Sequence, residues 1–207
     1  LVALAGYVAP WVPHRAAGLV ITGLDLAEYV KFLHPVSSGE IPLWREGFYL
    51  PLVAVSVAFS LYAFHRQPGG DRPLYPWPVR VGMLAVAGMA ALNLLPPAWS
   101  PALLFTPEFR LQTSVMILCL ILAGISPFLA LAPAKLRAAS VLLLTLAGLA
   151  IPVAQFWRIL PALGDLYGHA ILPGWGVWVM GVGVLGVGYW VLGIGYWGGW
   201  ASRRLGD

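Results

Sequence analysis

The sequence predicts an all-α, polytopic transmembrane bundle of about six spans, with a long outer loop that contains a short amphipathic helix. Three observations lead there. With 60% hydrophobic residues, 10% charged residues and a mean hydropathy of +0.83, a chain of 207 residues is too apolar for a soluble domain. Its apolar residues gather into runs separated by short polar connectors. The longest interruption, between Pro13 and Glu46, holds Arg15, Asp25, Glu28, Lys31, Glu40, Arg45 and Glu46. Residues 1–207 therefore read as one integral membrane domain, with the outer loop 13–46 between its first two spans.

Charge and cysteine content narrow the function classes. The formal net charge is +4, but the basic residues are scattered between apolar runs, which suits topology signals and argues against a nucleic-acid partner. Cys119 is alone, so an intrachain disulfide, a C-x-x-C pair and a cysteine zinc cluster are all excluded.

The first run, Leu1 to Val12, would reach only about 18 Å as a helix against a hydrocarbon core of roughly 30 Å, so a full span needs residues before Leu1. A signal-peptide remnant is the competing reading, against which Tyr7, Pro10 and Trp11 suit the outer end of a span. Gly47 to Phe64 is the second span, with Pro51 tolerated in its first turn. The connector from His65 to Pro78 carries Gly69, Gly70, Asp71 and Arg72 and reads as a turn. Val79 to Leu95 is the third span, with Arg80 snorkelling at its end. Thr106-Pro107-Glu108 reads as a helix start and opens the fourth, Leu111 to Ala132, kinked at Pro127. A basic turn through Lys135 and Arg137 leads into the fifth, Ala138 to Trp157, and the uncharged stretch Trp175 to Trp197 is the sixth.

Orientation follows from the arginines and lysines. Arg66, Arg72, Arg80, Lys135, Arg137, Arg203 and Arg204 fall in short connectors and at the C-terminus, so these lie in the cytoplasm and the membrane is the plasma (inner) membrane. The loops holding Arg15, Lys31, Arg45, Arg110 and Arg158 are outer, where Asp25, Glu28, Glu40, Glu46, Glu108 and Asp165 outnumber them. In the outer loop, Thr22-Gly-Leu-Asp25 resembles a capping box and starts a helix to about His34, closed by Pro35. Leu26, Tyr29, Val30 and Leu33 share one face and Asp25, Glu28 and Lys31 the other, so this helix forms a lid on the membrane surface or across the bundle mouth.

Motifs are few. Gly181-x-Gly183-x-x-Gly186 matches the dinucleotide fingerprint literally, but it follows no strand and has no acidic partner downstream. The glycines make better sense as packing: Gly174, Gly181, Gly188 and Gly195 recur every seven residues, and Gly181, Gly188 and Gly195 form a seam for another helix of this chain or of a partner. Trp11, Trp44, Trp99, Trp157 and Trp175 suit an outer aromatic belt, and Trp77, Trp197 and Trp200 an inner one. His14, His34 and His169 could join Glu28, Glu40 or Asp165 around a metal, yet no ligand spacing supports it, and neither a metal nor another cofactor is expected. Nucleophile elbow, P-loop and zinc-protease motifs are absent from the sequence, and the apolar cores hold no Asp, Glu, Lys, Arg or His.

About six spans in this length, with a long outer loop after the first, resembles the general layout of the substrate-binding membrane subunit of energy-coupling-factor vitamin transporters. The first functional expectation is a non-catalytic multi-pass membrane subunit of a transporter or larger complex, whose partners are the bilayer and other membrane proteins. The second is a small-molecule binder or carrier using Asn93, Gln155 and Trp157. The third is an enzyme acting on a lipid-linked substrate at the outer leaflet, with candidates Asp25, Glu28, His34, Arg110, Arg158, Asp165 and His169.

Overall fold

The computed structural model describes residues 1–14, 20–66, 73–96 and 100–204, with side chains through 189. Arg15, Gly69, Gly70, Asp71, Arg72 and Trp99 lie outside the described residues. The backbone of Gly195, Trp197, Trp200, Arg203 and Arg204 is helical, but their side chains lie outside the description. The chain forms two compact units, one of residues 1–51 with 145–187 and one of residues 52–144 with 188–207.

The first unit opens with α1 (Val2–Tyr7) and β1 (Pro10–Val12), which pairs antiparallel with β2 (Ile21–Thr22). Helix α2 (Gly23–Tyr29) starts where the sequence places it, because the Thr22 hydroxyl accepts the Asp25 amide while the Asp25 carboxylate accepts the Thr22 amide at 3.0 Å. A 3₁₀ turn, Val30–Phe32, ends that helix before His34, and Pro35 sits in the first turn of α3 (His34–Ser37) instead of closing α2. Leu26, Ala27 and Val30 are fully buried, so the apolar face of the expected lid belongs to a protein core. The same unit also buries Tyr7, Trp11, Phe48, Phe156, Ile159, Leu163 and Met180. Tyr7 donates to the Phe48 carbonyl at 2.8 Å, Trp11 meets Phe156 edge-on at 5.4 Å, and the Gly174 amide donates to the Trp11 carbonyl at 2.7 Å. Trp11, expected in an aromatic belt, is therefore a core residue.

Small residues close this unit. A Cβ on Gly176 would stand 2.7 Å from the Gly6 carbonyl oxygen and 2.8 Å from that of Ala9. One on Gly174 would overlap the Pro10 carbonyl, and one on Gly183 the backbone of Ala3. Helix α10 (Trp175–Arg204) thus lies against the N-terminal segment through Gly176, Val177, Met180, Gly183 and Val184.

The second unit holds α4 (Leu50–Tyr62) from Leu52 onward, α5 (Trp77–Leu92), α6 (Pro101–Leu104), α7 (Arg110–Gly124), α8 (Ser126–Leu129) and the start of α9 (Ala134–Tyr167). Ala87, Ala90, Ala91 and Leu94 make one buried face of the α5 region, against which α7 packs Gln112, Thr113, Met116 and Cys119. Gln112 donates to the Leu94 carbonyl at 2.6 Å, and the Ser126 hydroxyl donates to the Ser60 carbonyl. Thr106 caps nothing: its hydroxyl donates to the Leu103 carbonyl at 2.8 Å, and α7 begins only at Arg110.

The expectation of six spans is not supported. Among the residues described with their side chains, only α9, with 34 residues, is long and apolar enough to cross a membrane, α10 being so described only over Trp175–Tyr189. Helix α1 has 6 residues, α4 13, α5 16 and α7 15, all short of the roughly 20 that a span requires. The reason is local. Pro10 and Trp11 leave the helix for a strand, and the fourth run breaks at Ile125, so that Pro127 starts a separate turn in α8 instead of kinking a long helix. The layout resemblance to the vitamin-transporter subunit rests on the six spans and falls with them.

Candidate ligand groove at the end of the long helix

Helix α9 carries Pro152 and Pro161 internally and stops abruptly after Tyr167. Gly168 adopts φ +70°, where a side chain would be strained. Its amide donates to the Asp165 carbonyl at 3.3 Å, and the His169 amide donates to the Gly164 carbonyl at 3.1 Å. This pair of bonds is a Schellman cap, and it sends the chain back along the helix it has just left. Gly164 makes the return possible, since a Cβ there would stand 3.3 Å from the His169 carbonyl oxygen.

The reversal leaves an open groove of about 820 Å³ lined by Trp157, Leu160, Pro161, Gly164, Asp165, Gly168, His169, Ala170 and Ile171. Leu160, Pro161 and Ile171 supply apolar wall, Trp157 a half-exposed indole, and Asp165 and His169 polar groups. His169 Nδ1 lies 3.1 Å from the Ala170 carbonyl oxygen; donation there leaves Nε2 as an acceptor. The Tyr167 ring stands 5.4 Å from that of His14 and 6.4 Å from that of His169, which fixes the imidazole's surroundings. An apolar trough with an acid and an imidazole suits a small amphiphile with a polar end. Among the described residues no group of three or more metal-ligating side chains occurs.

Three residues singled out from sequence, Trp157, Asp165 and His169, thus share one groove. The others are placed elsewhere. Asp25 is engaged in the capping box. Glu28 pairs with Lys31 at 2.7 Å and accepts from the Tyr49 hydroxyl at 2.8 Å. Burial pushes the Glu28 carboxyl up, but the hydrogen bonds from Lys31 and Tyr49, with the charges of Lys31 and Arg45, outweigh it and hold the group below its ordinary range. His34 and Arg110 are exposed at helix starts, and Arg158 is exposed on α9. Asn93 is exposed in the second unit and donates to the Met89 carbonyl at 2.8 Å. Gln155 is only 5% exposed and packs at Gly47, where neither of its amide atoms has a hydrogen-bond partner among the described residues. Gly181 and Gly188 have no atom within 4 Å of an added Cβ, so the intrachain contacts of α10 run through Gly176 and Gly183 instead.

Sequence reasoning passed over Gly164, Gly168, Ala170 and Ile171. The signal was present: a glycine directly after the last periodic residue, Gly168, marks a helix end. Comparison of the chain with protein families, with characterised proteins and with solved structures gave no match, so the reading of this groove rests on its own geometry.

Proposed function

We propose that this chain is a non-catalytic membrane component, held in the bilayer by α9 and working as a subunit of a transporter or larger membrane complex. The observation that carries the reading is the exposure of α9: only 22% of its apolar window is buried inside the protein, whereas the core helix of a water-soluble fold is mostly buried. Its uncharged stretch, Ala138 to Trp157, matches the roughly 20 residues needed to cross. Lys135 and Arg137 precede that stretch, so by the positive-inside rule its start faces the cytoplasm of a plasma (inner) membrane. A second support is the uncovered face of α10. Trp178, Gly181, Val182, Leu185, Gly188 and Tyr189 follow helical spacing, and the four large side chains among them are exposed. A smooth, apolar and uncovered face of this kind suits a neighbouring helix of a partner subunit.

The test is alkaline extraction of membranes containing the full chain, followed by native mass spectrometry of gently solubilised protein. Retention in the membrane with a stoichiometric second protein is the expected result. Release into the soluble fraction without detergent overturns the membrane assignment, and a lone chain overturns the subunit role. The groove favours a second reading, a carrier of a small amphiphile: a lone chain retaining a defined small molecule, lost on Trp157→Ala, would establish it. The enzyme reading is weaker, because of its seven candidates only Asp165 and His169 line the groove.

A further inference from the structure

Arg137 stands where a charged residue is costly. It is 6% exposed, in the first turn of α9, and among the described residues no carboxylate pairs with it. Its Nη1 donates to the Ala130 carbonyl at 2.9 Å and its Nη2 to His65 Nδ1 at 3.0 Å, while Nε is buried with no partner among the described residues. Burial and the Arg137 charge pull the His65 imidazole below its ordinary range, so at neutral pH it accepts from Arg137 and adds no charge of its own. Two neutral acceptors do not compensate a guanidinium withdrawn from water, for which a desolvated cation ordinarily requires an anion.

Arg80 repeats part of the pattern at Phe64, the residue before His65. Its guanidinium lies 5.1 Å from the ring centre of Phe64 and 5.2 Å from that of Trp77, and its Nε is also buried with no partner among the described residues. Both arginines occupy the first turn of a helix, where the aligned peptide dipoles add positive potential. The surroundings are apolar and exposed: Trp77, Leu131 and Leu136 each have more than half of their surface accessible. A soluble anion uses the cations alone, whereas a phospholipid uses the cations for its headgroup and the apolar rim for its chains.

We infer that Arg137 and Arg80, which contact the adjacent residues His65 and Phe64, hold the phosphate of an anionic glycerophospholipid whose acyl chains lie along Trp77, Leu131 and Leu136. The inference rests on the membrane reading above and names the lipid class recognised at the cytoplasmic end of α9.

The test reconstitutes the full chain into vesicles of phosphatidylcholine alone or mixed with phosphatidylglycerol, then counts retained lipids by native mass spectrometry and follows the thermal midpoint. Phosphatidylglycerol is expected to stay bound in preference to phosphatidylcholine and to raise the midpoint. Arg137→Gln lowers its retention about tenfold and Arg80→Gln about threefold, as expected when one charged partner is removed. Lys31→Gln, whose lysine pairs with Glu28, leaves retention unchanged. Arg80 is half-buried on the rim, so its variant carries the test if Arg137→Gln fails to fold. Equal retention of the two lipids by wild-type protein, or unchanged retention by folded Arg80→Gln, overturns the lipid site while leaving the membrane reading intact. Failure of the wild-type chain to enter either vesicle overturns both. If inorganic phosphate raises the midpoint as much as phosphatidylglycerol does, the site takes a soluble anion and the lipid assignment is wrong.

Discussion

The segment richest in charge and the runs richest in apolar residues exchange the roles that composition assigns them. In the outer loop, Leu26, Ala27 and Val30 are fully buried, and Glu28 is tied to Lys31 within the loop and to Tyr49 just beyond it. In the run read as the fourth span, Leu111, Leu118 and Ile121 are about half exposed. Burial in the first region comes from a few side chains aimed by caps and turns. In the second, an apolar surface remains that this chain does not cover, which is the mark of a lipid or protein contact. Hydrophobicity of a segment and burial of a segment are therefore separate properties here.

The sharpest way to break this comparison is a matched pair of truncations. Leu26→Ala, in the polar segment, should destabilise the folded protein by about 3 kcal/mol, and Leu118→Ala, in the apolar run, by less than about 0.5 kcal/mol. Thermal unfolding in detergent, followed by tryptophan fluorescence, reads both, and equal losses would erase the distinction. Next in size are the two faces of α10. Gly176→Ala drives a methyl group into the Gly6, Ala9 and Pro10 carbonyls and should cost about 2–3 kcal/mol. Gly181→Ala meets open space and should stabilise the helix by about 0.5–1 kcal/mol, with the same assay deciding the sign. Thr22→Ala removes one half of the capping box and should cost about 1 kcal/mol by chemical denaturation, with faster amide exchange confined to α2.

The smallest effect concerns pH. The Glu28 carboxyl titrates below its unfolded value, so its ionised form stabilises the fold above the ordinary glutamate pKa of about 4.3, and that contribution is lost as pH falls through the lower folded value. Glu28→Gln should therefore flatten the acid limb of the stability curve and leave the neutral limb nearly parallel to wild type. A variant with an unchanged acid limb would show that the Lys31 and Tyr49 contacts contribute nothing.

What was legible in the sequence was local. Thr22 and Asp25 are three residues apart, and their exchange of hydrogen bonds needs no other part of the chain. The cap at Gly168 and His169 is equally local and could have been read. The expected spans failed because an apolar run has the same composition whether it lies in lipid, in a protein core or as a short helix beside another. Trp11 illustrates this: its neighbours suggest an interface, while its position is decided by Phe156, far along the chain. Arg137 reads as a topology signal, yet its partner His65 is 72 positions away. Of the groove, Asp165 and His169 were identifiable as polar residues in a loop, but their sharing of a trough with Trp157 depends on a helix that continues ten residues beyond that tryptophan, to Tyr167.

The glycine contacts between α10 and the N-terminal segment also set a timetable. Residues 1–51 complete their unit only with residues 145–187, so Trp11 waits for Phe156 and Gly6 for Met180 to be synthesised. At typical translation rates that delay is roughly ten to thirty seconds, long compared with the collapse of a small chain. Throughout it, Tyr7 and Trp11 have only their partners within the first 51 residues, such as the Phe48 and Gly6 carbonyls, and Trp11 lacks its ring contact with Phe156. The last helix works as a clasp on the first residues of the chain, and the unit it fastens cannot close until the chain has been made as far as residue 187.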